Sequence, residues 1–268
     1  MSGRKELLDM KALMDKYKLL IGVHLKAYRK YPIGLFLKLI YLPIQMLMYI
    51  FLWLNISKSN AIDLKYLITY YLLTSLLLYA YPYTHIANNI ENDVIEGGIS
   101  NYLVRPISYI NPILCQYIAW MCLYSIIFIP AIIFVYFFRG FTLVQIGLFL
   151  LSTLIGLSVE FMLWYNMGLI TFFIERIRGV MTTVIALRMF ISGSLIPLSF
   201  FPKSIRNLTY LFPFRFYVYV PVNSLLGEVE HNEILANLII GIAWLILLIF
   251  LSKFLWNRGI KKMQINMS

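Results

Sequence analysis

The sequence predicts an all-α integral membrane protein with six transmembrane helices, and three observations predict it. Apolar residues fill 61% of the 268 positions and charged residues only 13%, whereas about a quarter of a soluble domain is charged. The apolar residues also gather in blocks of about twenty, the length an α-helix needs to cross roughly 30 Å of hydrocarbon. Finally, the basic residues divide between the connections: fourteen Lys and Arg fall in the N-terminal arm, around Arg105, at Arg176 and Arg178, and in the C-terminal tail, and six fall in the opposite loops. The positive-inside rule then puts both termini in the cytoplasm. The net charge of +11 is thereby a topology signal, and nucleic acid is not an expected partner.

The spans are expected at 33–54, 66–87, 112–138, 141–174, 180–201 and 234–256. Ahead of them, residues 1–32 form a cytoplasmic arm. Within it, Leu7, Leu13, Met14, Tyr17, Leu20, Ile21, Leu25 and Tyr28 recur at three- and four-residue steps among lysines, which predicts an amphipathic helix lying in the inner interface; a solvated basic arm is the competing reading. No short apolar region with a small-residue cleavage site precedes the first block, so that block is expected to target the chain. Cys115 and Cys122, seven apart in the third block, are expected to be apolar filler.

The fourth block would extend about 50 Å as one helix, so part of it is expected to tilt or protrude. Residues 202–233 differ from the rest. They are external by topology, broken by Pro202, Pro213 and Pro221, and dense in aromatics such as Phe214, Phe216, Tyr217 and Tyr219 before Gly227. Such density favours the headgroup zone, and a proline-broken stretch too short to span predicts short re-entrant helices dipping into the outer leaflet. Residues 257–268 form a cytoplasmic tail.

Lys38, Glu160 and Arg188 fall inside spans, where a charge costs roughly 2.5 to 3.5 kcal/mol at the bilayer centre. Lys38 lies near a helix end and can snorkel. Glu160 follows Ser152 and Gly156 at four-residue steps, a strip suited to close contact, and Arg188 and Ser192 repeat the spacing on the next helix. If the hairpin turns near Arg176, the two charges differ in depth by about 6 Å at helical rise, a gap that long side chains bridge. A structural ion pair, a substrate contact and a proton relay all stay open for them.

The cytoplasmic loop 88–111 interrupts this apolar pattern. Glu91, Asp93 and Glu96 accompany Val94, Ile95 and Ile99; Gly97 and Gly98 end the short helix they predict; Leu103 restores an apolar contact before Arg105 and Pro106 turn the chain. Exposed apolar residues opposite acids suit a docking surface. No catalytic or metal motif is present, and without a Gly-Lys dipeptide there is no P-loop. Any ATP that drives the protein must bind another chain.

The whole chain resembles the membrane permeases of the ABC exporter superfamily that includes drug, O-antigen and teichoic-acid exporters, with the nearest likeness to a bacterial branch often encoded as permease pairs. The resemblance rests on the six blocks, on Glu91, Glu96, Gly97, Gly98, Leu103, Arg105 and Pro106, and on "SGSLIPLSFFP" with the later "LFPF" and "P-x-N-x-x-x-G". It implies that the loop is a coupling helix seated on a separate ATPase subunit that holds ATP and Mg, and that the segment holding Pro202, Pro213, Phe214, Pro221 and Gly227 gates the outer exit. It further implies two permease chains, a mixed pair being favoured over an identical one, in the bacterial cytoplasmic membrane. An ion-coupled secondary transporter using Glu160 is the competing reading, and a non-transporting anchor or sensor a third.

Overall fold

The computed structural model describes residues 15, 17–27, 32–57, 63–80, 83–103 and 108–267, which form helices and turns with no strand among them. Helix α1 (residues 17–27) is the described part of the expected amphipathic arm. It is followed by α2 (Pro32–Ser57), α3 (Leu64–Ala80), α4 (Tyr83–Ile95), the single turn α5 (Ser100–Leu103), α6 (Ile110–Arg139) and α7 (Leu143–Leu169). Then come α8 (Arg178–Ile191), α9 (Lys203–Leu208), α10 (Tyr219–Leu226) and α11 (His231–Met267).

Helix α7 is the hub. It packs most extensively against α11, α4 and α10, and its C-terminal half carries a nearly unbroken buried run from Val159 to Leu169 with Trp164 fully enclosed. A capping box starts it: Thr142 accepts from the Gln145 amide at 3.3 Å, and Gln145 accepts from the Thr142 amide at 2.8 Å. Gly140, at φ +72°, closes α6 just before, so the α6–α7 hairpin needs only a few residues.

Among the described residues, two helical stretches, Leu143–Phe172 and Asn232–Gln264, are long and apolar enough to cross a membrane without a break. A third crossing is made by α6 if its halves, bent by 50°, count as one. The bend falls in the turn before Pro130, where the missing N–H and the ring's clash with the preceding turn weaken the helix. Pro43 lies inside the continuous α2, and shorter apolar helices run over Pro43–Leu54 and Leu64–Leu78.

The fifth expected span, 180–201, is not one helix. α8 is 14 residues long, about 21 Å, and it stops at Ile191; Gly193, at φ +80°, then turns the chain, and a 3-10 turn follows at Leu198–Phe200. The sixth block extends the other way: α11 runs 37 residues, through the expected tail.

The segment 202–233, read above as external and called the outer segment for that reason, also differs from expectation. Instead of facing headgroups, Phe214, Phe216, Tyr217 and every residue of α10 are buried in the bundle. The cause is the small strip on α7. A Cβ at Gly156 would overlap the Phe216 carbonyl oxygen, and Gly241 on α11 lies against the Phe216 ring, so two glycines make the seat into which this backbone drops.

Candidate functional site

The acidic stretch is divided by its own helix. Glu91 turns inward and is buried at 6% exposure, where its Oε1 accepts the Ile177 amide at 3.1 Å. Ile177 is the N-cap of α8, and a carboxylate there satisfies one orphan donor and complements the helix dipole. Ile90, beside it, is fully buried against Gly168, where a larger residue would meet its side chain. By contrast, Ile95 and Glu96 are exposed.

Gly97, at φ +74°, turns the chain after α4, and α5 begins three residues on. Asp93 anchors the turn from within: its carbonyl accepts the Ile99 amide at 3.2 Å, and its Oδ2 accepts the Tyr109 hydroxyl at 2.7 Å. Gly98 lies against Asp93, where a Cβ would meet Oδ1 at 3.2 Å. Tyr109 stacks on Trp256 of α11, with ring centroids 5.0 Å apart, and meets Tyr102 edge-on. Burial, and then the Asp93 bond, push the Tyr109 phenol far above its ordinary pKa. For Leu103 only the backbone is described, and Arg105 and Pro106 lie outside the described residues.

At the other end of α8, Arg188 Nε lies 3.2 Å from Glu160 Oε1, both side chains being almost fully enclosed. Trp164 Nε1 donates to the same oxygen at 2.8 Å, and the guanidinium stands over the Tyr217 ring at 4.2 Å. The two charges singled out in the sequence are therefore partners, and the outer segment supplies a ring face to the pair. One turn beyond, the Ser192 carbonyl accepts the Tyr219 amide at 3.2 Å, while Tyr70 and Tyr71 on α3 donate to the carbonyls of Gly193 and Leu195. Together these contacts fix the broken fifth block to both α3 and α10.

The outer segment holds its own buried cation, which sequence reasoning assigned to an external loop. Arg215 is fully enclosed; it donates to Thr209 Oγ1 at 3.1 Å, lies over the Tyr210 ring at 3.5 Å and comes within 3.9 Å of Glu233. Of the predicted gate residues, Pro213, Phe214 and Pro221 are buried, Pro202 precedes α9 at the surface, and Gly227, at φ +71°, ends α10. The sequence offered one signal for Arg215, an arginine amid aromatics.

The family model for the ABC-2 family transporter protein matches residues 39–266, nearly all of the segment just described. The chain belongs to the ABC-2 transporter family. It is accordingly an ABC transporter permease, a multi-pass membrane subunit for transport that is not itself catalytic, and membership of this family implies association with an ABC ATPase. No curated protein matches the chain. In this ABC-2 permease the acidic stretch, α8 and the outer segment form one connected line from Ile95 to α10.

Proposed function

We propose that this permease exports an amphipathic substrate, drug-like, peptide or lipid-like, and that the stretch from Glu91 to Pro106 receives the stroke of a separate ATPase subunit that binds ATP and Mg. In this reading both termini are cytoplasmic in a bacterial plasma membrane, and two permease chains, a mixed pair being favoured, complete the pathway. The observation that carries it is the hydrogen bond from the Ile177 amide to Glu91. Through it, a displacement of α4 by a partner seated on Ile95 and Glu96 pulls the N-terminus of α8. The C-terminal end of α8 is joined to the outer segment by Arg188 and Ser192, so movement at the inner face reaches the proposed gate around Pro213, Phe214 and Gly227. Differential contact in two states is what such a coupling requires.

The test has two arms. The tagged chain, extracted gently from its native membrane, should carry a P-loop ATPase, identified by mass spectrometry. In that complex Glu96→Lys or Arg105→Glu should abolish substrate-stimulated ATP hydrolysis with membrane insertion intact; unchanged stimulation would remove the docking assignment. Transport by the purified chain alone, driven by a pH gradient and lost in Glu160→Gln, would instead establish the secondary transporter.

A further inference from the structure

A groove of about 1120 Å³ opens between α6, α7 and α11, away from the α8 line described above. Its wall on α6 runs from Ile110 to Cys122 and its wall on α11 from Leu245 to Asn257, about 18 Å along each axis. That is close to the depth of one leaflet, about half of a 30 Å hydrocarbon core.

The groove is graded. At one end lie Met121, Cys122, Leu154 and Leu245; at the other lie Ser108, Tyr109, Lys253, Trp256 and Asn257. Three hydroxyls along the wall are already spent within the protein: Tyr117 donates to the Leu157 carbonyl, Ser158 to the Leu154 carbonyl and Ser252 to the Ile249 carbonyl. The wall therefore offers apolar surface, favourable to hydrocarbon and unfavourable to water. Among the described residues, Lys253 is the only charged one lining it. The nearby carboxylate of Asp93 is held by the Tyr109 hydroxyl. Asn257 and Lys261 continue the face of Lys253 at four-residue steps.

We propose that this groove is a binding site for one anionic phospholipid, with an acyl chain along α6 and α11 and the phosphate at Lys253 and Asn257. A groove of one leaflet's depth fits one chain, and a cation with hydrogen-bonding neighbours at its polar end fits a phosphodiester; basic pockets between spans recognise acidic headgroups in this way. The site lies beside the Tyr109–Trp256 stack, so its occupant touches the rings that anchor the acidic turn.

The experiment uses the full chain in phosphatidylcholine vesicles doped with phosphatidylglycerol or phosphatidylcholine bearing a photoreactive diazirine at the end of one acyl chain. Adducts, mapped by mass spectrometry, should concentrate on Met121, Cys122, Leu154 and Leu245. The glycerol headgroup should exceed choline by about fivefold, the size expected of one basic residue near an anionic lipid. Lys253→Gln should equalise the two, Lys253→Arg should preserve the preference, and Leu157→Trp should lower both by filling the groove. Equal labelling by the two headgroups in the native chain, a preference unmoved by Lys253→Gln, or labelling at exposed Phe137 and Leu143 as strong as in the groove would each overturn the proposal.

Discussion

At its N-terminal end, the inner joint of the proposed topology, α8 is held to the acidic stretch by a hydrogen bond from the Ile177 amide to Glu91, whereas at its C-terminal end, the outer joint, an ion pair, an aromatic face and a backbone amide all hold it to α7 and the outer segment. The inner joint is local and lies one helical turn from exposed residues. The outer joint is enclosed on all sides, and its partners come from three separate elements. A hydrogen bond to a charged group contributes about 1.5 to 3 kcal/mol, while stripping one partner from a buried ion pair costs about 3 to 5 kcal/mol. The difference makes the Glu91 joint the weaker of the two, so in the proposed stroke it is the yielding point, with the C-terminal half of α8 expected to follow the outer segment as one body.

The largest effect should therefore come from the outer joint. Arg188→Ala is expected to cost about 3 to 5 kcal/mol by leaving Glu160 charged and enclosed, seen as a collapse of the detergent-solubilised chain's thermal midpoint. The double replacement Glu160→Leu with Arg188→Met should recover most of that loss, and equal damage in single and double variants would show that the contact holds nothing together. Gly156→Ala comes next, at about 1 to 3 kcal/mol for forcing a methyl against the Phe216 carbonyl; its signature should be faster labelling of cysteines introduced in the 213–226 segment.

At the inner joint, Glu91→Ala orphans the Ile177 amide and should cost about 1 to 3 kcal/mol. Glu91→Gln keeps an acceptor and should lose much less. If both variants lower the midpoint equally, the bond to α8 is not what Glu91 contributes. Tyr109→Phe should cost about 1.5 kcal/mol, the low end for a bond to a charged group because Asp93 stays partly open to water, through the lost bond to its carboxylate. It also carries a pH signature. The Tyr109 pKa is raised in the folded chain, so above the ordinary phenol value, about 10, the unfolded chain loses a proton that the folded chain keeps, and stability falls as pH rises. Removing this phenol should make alkaline destabilisation shallower, as followed by thermal melts between neutral pH and pH about 11.

The apolar blocks and the charges within them were legible because burial in hydrocarbon leaves few alternatives. Glu160 and Arg188 could be brought together from spacing alone, since helical rise fixes depth. The fifth block was misjudged because twenty apolar residues read alike whether they continue as a helix or turn at Gly193 and return through the bundle. The same ambiguity hid the outer segment: Phe214, Tyr217 and Tyr219 suit a headgroup zone and a core equally, and only the Gly156 seat decides between them. Glu91 was grouped with Glu96 because a sequence shows which acids cluster and not which one faces a helix N-terminus. Arg215 escaped for a related reason, as its enclosing rings come from residues on both sides of it in the chain.

Helix α11 extends 37 residues without a break and is braced along α7, and at Gly259 it meets the Phe172 ring closely. A rod about 55 Å long magnifies angle into distance: tilting it by roughly 10° about one end carries the other about 10 Å. A spin label or fluorophore near Met263 would thus read small rotations of the bundle as large displacements, making the C-terminal end of this permease its natural pointer.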